Sequence, residues 1–188
     1  MAATVRVELE PVTAADSRAA LANLYPLYLY ELSSFTDYYA LDELGRWIPD
    51  HLDDWLHARL PGQHSFLLRA GGRLAGFALV GTQPFPFRRH GCRAQMSEFF
   101  VVRSLRRSGV GRAGAKAAFD RFPGTWEVTE VPTNTAAIAF WRQVIGDYTG
   151  DDYAEAADGG EVAQLFTAGS AFPRSARQTR ETDGTITV

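Results

Sequence analysis

The stretch "RRSGVGRAGAKAAFD", residues 106–120, holds two overlapping patterns. "GVGRAG" (109–114) matches G-x-G-x-x-G, the dinucleotide fingerprint, and "RRSGVG" (106–111) matches R-x-x-G-x-G. Both set glycines at the start of a helix, where unpaired N–H groups and the positive dipole end attract an anion. They differ in what must precede and follow. The dinucleotide pattern needs a strand running almost directly into its first glycine and a second mononucleotide half further on. Here the strand "EFFVV" ends at Val102, and six residues, three of them arginine, separate it from Gly109. An acid does stand about 20 residues on, as that pattern asks, in Glu127 or Glu130. The 74 residues after Gly114, however, end in a hairpin and supply no second half. A P-loop fails too, because no Gly-Lys-Ser/Thr follows. The plain alternative is a capped helix, with Ser108 as N-cap and glycines tolerant of unusual backbone angles. That leaves the three arginines unexplained, and a diphosphate is the economical ligand.

Working outward, residues 5–9 alternate as a strand. Thr13 with Asp16 marks the start of a long helix that Pro26 bends or splits. Residues 50–60 have Leu52, Trp55, Leu56 and Leu60 at helical spacing. Strands at 65–70 and 73–81 flank a "GG" turn, and a loop leads to the strand 95–102. The helix from Gly109 to about Phe122 is followed by a strand at 125–131. A helix capped by Thr133 comes next, and then a last hairpin around "DGG", with Tyr148 near its first strand. The order predicts one α/β domain over residues 1–168 on a mixed, mostly antiparallel sheet of six to seven strands with about four helices. From residue 169 to 188 the composition turns polar and predicts a loosely held tail.

The 188 residues are 46% hydrophobic and 22% charged, ordinary globular values. No apolar run reaches the roughly 18 residues of a membrane span, and the first residues lack a signal-peptide pattern. A single cysteine excludes an internal disulfide and a cysteine-built zinc site. These point to a cytoplasmic protein with no membrane partner. Residues 88–112 carry seven arginines against one acid, Glu98, while the whole chain is at −3. A local positive patch on an acidic protein suits a small polyanion rather than a nucleic-acid footprint. The four histidines form no metal-ligating pair, so no metal is expected.

The segment "EFFVVRSLRRSGVGRAGAKAAFD", with "TWEVTEVPTNTAAIAFWRQVIGDYT" after it, resembles the core of the GCN5-related N-acetyltransferases, the GNAT superfamily. That resemblance implies a sheet with splayed central strands and acetyl-CoA as co-substrate. It places the coenzyme diphosphate on the backbone of Arg106, Arg107, Ser108, Gly109, Val110 and Gly111, with Arg112 at the helix start. It sets the pantetheine arm along Phe100, Val101 and Val102, where one N–H also faces the developing oxyanion. Asn134 matches a coenzyme-contacting asparagine, with helix capping as its other reading. Glu98, the only acid between residues 54 and 120, is the candidate base. Its plain alternative is an ion pair with a nearby arginine. Where the family carries a tyrosine acid, this chain has Phe140 and Trp141, and an indole cannot give up a proton in that way. Trp141 is then expected to pack near the acyl or pantetheine arm, and Tyr148 is the substitute acid, unless the thiolate leaves unassisted. Cys92 as an acyl carrier is a remote alternative.

The implied acceptor is a primary amine of a small molecule or peptide. Tyr25, Tyr28, Tyr30, Phe35, Tyr38, Tyr39, Trp47 and Trp55, mixed with acids, would suit a cation, although most of them read as core. A non-catalytic acyl-CoA-binding module is the other reading of the same loop. The resemblance allows a homodimer as well as a monomer.

Overall fold

The computed structural model describes residues 5–169, so all of the expected tail beyond Gly169 lies outside the described residues. Nine strands and four α-helices run in the order β1 (Val7–Pro11), α1 (Ala15–Leu32), β2 (Ala40–Leu41), β3 (Trp47–Ile48), α2 (Leu52–His57), β4 (Gln63–Ala70), β5 (Arg73–Thr82), β6 (Ala94–Val101), α3 (Val110–Arg121), β7 (Gly124–Glu130), α4 (Thr135–Thr149), β8 (Tyr153–Asp158) and β9 (Glu161–Ala168). Seven strands form one sheet in the order β1-β4-β5-β6-β7-β9-β8, and β2 pairs with β3 apart from it. Every pairing in the large sheet is antiparallel except β6 with β7.

That one parallel pairing sets the shape of the site. β6 and β7 align only at Ala94 with Trp126, Gln95 with Glu127 and Met96 with Val128. Beyond those partners β6 continues to Val101 and β7 to Glu130 without pairing to each other, so the sheet opens as a wedge at its centre.

The sheet divides two apolar clusters. Val110, Ala115, Ala118 and Phe119 of α3 and Trp141, Val144 and Ile145 of α4 pack on one face around Trp126 and Phe166. On the other face, Leu21, Leu24, Tyr25 and Leu29 of α1 pack with Trp55 of α2 on Leu67, Phe77, Leu79 and Phe100. The α1 residues recur at the i, i+3, i+4, i+8 spacing of a one-faced helix. Each large apolar side chain fully withdrawn from water contributes about 1.5–3 kcal/mol to the fold.

Several elements differ from the sequence expectation. Pro26 does not split α1, because it lies on the exposed side and the helix runs on to Leu32. The start of α1 is held by Ser17, whose hydroxyl accepts from the Ala14 N–H and donates to the Ala14 carbonyl, not by Thr13 with Asp16. α4 is capped by Asn134 rather than Thr133, whose hydroxyl donates to the Phe35 carbonyl instead. α4 also runs past the expected end, which makes Tyr148 a helical residue and not part of the final hairpin. Gly150, at φ 70°, terminates it.

Candidate active site

A 3-10 turn, Arg103–Leu105, carries the chain from β6 to the glycines. Gly109 is the N-cap of α3 at φ 87°, a left-handed conformation that costs glycine nothing. The first helical bond of α3 runs from the Ala113 N–H to the Gly109 carbonyl at 3.0 Å. Among the described residues nothing accepts from the amides of Val110, Gly111 and Arg112, so three N–H groups at the positive end of a helix are free for an anion. A Cβ at Gly111 would stand 3.2 Å from the Phe140 ring, so glycine keeps the backbone accessible there.

The arginines are used differently from one another. Arg106 turns back: its Nε donates to the Val101 carbonyl at 2.8 Å and its Nη2 to Glu31 of α1 at 2.6 Å. Its backbone N–H is also taken, by the Arg103 carbonyl, so the Arg106 amide is not among the free N–H groups. Arg112 pairs with Asp147 of α4 at 2.6 Å. Arg107, held at φ 61° and exposed, has no partner among the described residues. Ser108 donates to the Leu105 carbonyl at 2.6 Å and so closes the turn instead of capping the helix.

On β6, Val102 N–H donates to Ala75 on the β5 side at 2.8 Å, which turns Val102 away from the wedge. Antiparallel alternation then points the backbone of Phe100 at β5 as well and that of Phe99 and Val101 into the opening. Since Arg106 occupies the Val101 carbonyl, the Val101 N–H is the group left facing the gap. Of the expected Phe100, Val101 and Val102, only Val101 turns its backbone toward the wedge, and Phe99 does the same.

Glu98 owes its direction to a bulge. Leu79 aligns with Glu98 but Val80 with Met96, leaving Ser97 as an extra residue on β6. Met96 packs with the α3 and α4 cluster, whereas Glu98 and Phe100 face α1, a reversal that an unbroken strand does not allow. The Glu98 carboxylate accepts from the Tyr28 hydroxyl. Burial among apolar rings pushes the carboxyl up to about 7, only partly offset by the Tyr28 hydrogen bond. The same burial raises the hydroxyls of Tyr25, Tyr28 and Tyr39 above their ordinary value, with the Glu98 charge adding to each. Tyr25 is almost fully buried, and its hydroxyl has no partner among the described residues. Of the aromatic residues on this side, Tyr25 and Trp55 are core, while Tyr30 and Tyr38 are exposed.

The other expected site residues lie on the α4 side. The Asn134 side chain accepts from the Ala137 N–H at 3.1 Å, which uses its oxygen as a helix cap. Trp141 is buried against Phe99 and Phe119, and the half-buried Phe140 ring lies between Gly111 and Phe99. Tyr148 packs on Phe119 and Phe166, and its hydroxyl donates to Asp120 at 2.7 Å. Burial first, then Asp120, pushes that hydroxyl to about 12. Tyr148 and Glu98 are thus on opposite faces of the sheet.

Glu127 has a structural role that the sequence did not disclose. Fully buried on β7, it accepts the backbone N–H groups of Arg89 and His90, both at 2.8 Å, and pins the loop between β5 and β6. Cys92 in this loop is buried, and desolvation raises its thiol, which is unlike an activated nucleophile. A cleft of about 420 Å³ lined by Arg93, Arg121 and Phe122 lies at the opposite end of β6 from Val101, away from these groups. Among the described residues no three of His, Cys, Asp and Glu gather as a metal site, and no helix is long and apolar enough to cross a membrane.

Solved structures share this architecture. An acetyltransferase from Thermus thermophilus superposes with a TM-score of 0.59 at 16% identity, over 87% of this chain and 98% of that one. A Corynebacterium glutamicum structure described as histone acetyltransferase HPA2 and related acetyltransferase gives 0.60 at 12% identity, over 91% and 99%. Mycobacterium smegmatis RimJ in complex with CoA-disulfide gives 0.54 at 17% identity, over 87% and 85%. No curated protein sequence matches the chain. The pattern of the Acetyltransferase (GNAT) family matches residues 26–146, a span that runs from α1 through the bulged strand and the glycine turn into α4, and the chain is a member of that family.

Proposed function

We propose that the protein transfers the acetyl group of acetyl-CoA to a primary amine of a small molecule or peptide by direct attack. The observation that carries this reading is the alignment of three free amides at the start of α3 with a wedge between β6 and β7, and with Glu98 at the bulge beside it. The amides of Val110, Gly111 and Arg112 suit the coenzyme diphosphate, and Arg107 supplies an unpaired charge. The outward N–H of Val101 suits the oxyanion of the attacked thioester. RimJ, of the same fold, was observed with a coenzyme A derivative, which supports that class of ligand here.

The chemistry assigned to this chain is brief. Glu98, half-buried and near its midpoint at neutral pH, takes a proton from the acceptor ammonium. The freed nitrogen forms a bond to the acetyl carbon while the carbon–sulfur bond breaks, the electron pair leaves with sulfur as a thiolate, and the second proton on the acylated nitrogen passes to that thiolate or to water. The proton on Glu98 returns to water. No acid is assigned: Trp141 is buried, and the Tyr148 hydroxyl is committed to Asp120 on the other face. That same commitment favours a second reading, a non-catalytic acyl-CoA-binding module.

Thermal unfolding with acetyl-CoA, and with NADH as control, tests the ligand. A ligand at about 100 times its dissociation constant adds about 2.7 kcal/mol, a clear upward shift. Thiol release with benzylamine, spermidine and a peptide with a free N-terminus then separates enzyme from module. A shift with NADH alone sinks both readings.

A further inference from the structure

Tyr28 is the donor that Glu98 accepts from among the described residues, and the reaction above gives it no part. We propose that Tyr28 is a positioning residue for Glu98, holding the carboxylate from α1 in the orientation that meets the acceptor amine. The inference rests on Glu98 being the base.

Packing fixes the phenol independently of the hydrogen bond. Its ring meets Phe77 edge-on at 5.6 Å and Phe100 at 6.1 Å, and Tyr25 stands 6.0 Å away on the same helix. Phe100 is on the strand that carries Glu98, so donor and acceptor share one packed unit. Three residues beyond Tyr28, Glu31 takes the Arg106 guanidinium, which also bonds the Val101 carbonyl and lies 5.6 Å over the Phe100 ring. Arg106 therefore ties the register of α1 to the end of β6.

The other charges nearby leave the carboxylate to Tyr28. From α1, Tyr25 adds a hydroxyl with no partner among the described residues, and the following loop adds the Tyr39 hydroxyl. Asp50 bears on Tyr25, and Glu161 of β9 bears on Tyr39 but is paired with Arg89. β5 contributes apolar Phe77 and Leu79, Glu127 of β7 is occupied by two amides, and Arg106 is occupied as described. A carboxylate that accepts a hydrogen bond is held in its charged form, and losing the donor makes it harder to ionise.

The test is the pH profile of acetyl transfer to benzylamine, spermidine and the free-N-terminus peptide by Tyr28→Phe. The variant keeps the ring and removes the hydroxyl. The acid-side midpoint should rise by about one unit, so the rate falls about fivefold at pH 7 and recovers near pH 9. A merely structural role lowers the rate equally at every pH. Site-specific 3-fluorotyrosine at position 28, a more acidic donor, should move the midpoint down and needs no change of packing. Wild-type turnover with an unshifted midpoint in both variants overturns the proposal alone. Wild-type protein that acetylates none of the three amines overturns the transferase reading and the proposal with it.

Discussion

Glu98 on β6 accepts from the hydroxyl of Tyr28 on α1, a partner 70 positions earlier in the chain. The pair puts a carboxyl with a midpoint of about 7 beside the opening of the sheet. As the proposed base, Glu98 must be ionised to take a proton, so kcat/KM should rise about tenfold per pH unit below about 7 and level off above it. A profile flat from pH 5 to 8 contradicts that placement.

Folding stability should respond in the opposite sense, and Glu130 offers the clearer case. It is buried at the end of β7 with both carboxylate oxygens unpartnered among the described residues, and burial pushes it up to about 8. The folded state then binds more protons than the unfolded state between about 4.5 and 8, so stability falls as pH rises through that window. Glu130→Gln removes the charge, and its melting temperature should exceed wild type by roughly 5 °C at pH 9 and by little at pH 4. Calorimetric melting at both values checks it; an equal effect at the two contradicts it.

Gly111→Val tests the proposed diphosphate site. Its side chain would crowd Phe140, already 3.2 Å from a bare Cβ, and cover the free amides. Phe140 is half-buried and can yield, so the fold should survive while acetyl-CoA affinity falls about tenfold or more. Titration calorimetry against circular dichroism separates the two.

The arginines should divide by partner. Arg107→Ala should weaken acetyl-CoA binding severalfold and flatten its salt dependence, with stability within about 0.5 kcal/mol of wild type. Arg106→Ala should instead lower stability and slow transfer, because it cuts the tie from Val101 to Glu31. Matched losses in both variants would contradict the division.

The glycine turn and its helix were legible because glycine spacing at a helix start is a local signal. The bulge at Ser97 was not. Period-two alternation puts Met96, Glu98 and Phe100 on one face, and only pairing with β5 reverses it. The Tyr28–Glu98 contact is a tertiary fact that no spacing encodes. Arginine counting showed a positive patch but not that Arg106 and Arg112 would be taken by Glu31 and Asp147 from α1 and α4. Which amides face the wedge was hidden for a similar reason, because it depends on the bond from Val102 to Ala75. The hairpin β2–β3 was missed because two-residue strands carry no period; Asp42 holds it by accepting from the N–H groups of Leu44 and Arg46.

The most direct measurement is thiol release from acetyl-CoA with the amine panel for wild type and Glu98→Gln, with acetyl-CoA affinity measured on both. The account predicts turnover by wild type, a loss of about 100-fold or more in Glu98→Gln, and affinity unchanged within about twofold. Full turnover by Glu98→Gln, or tight coenzyme binding without turnover by wild type, contradicts it.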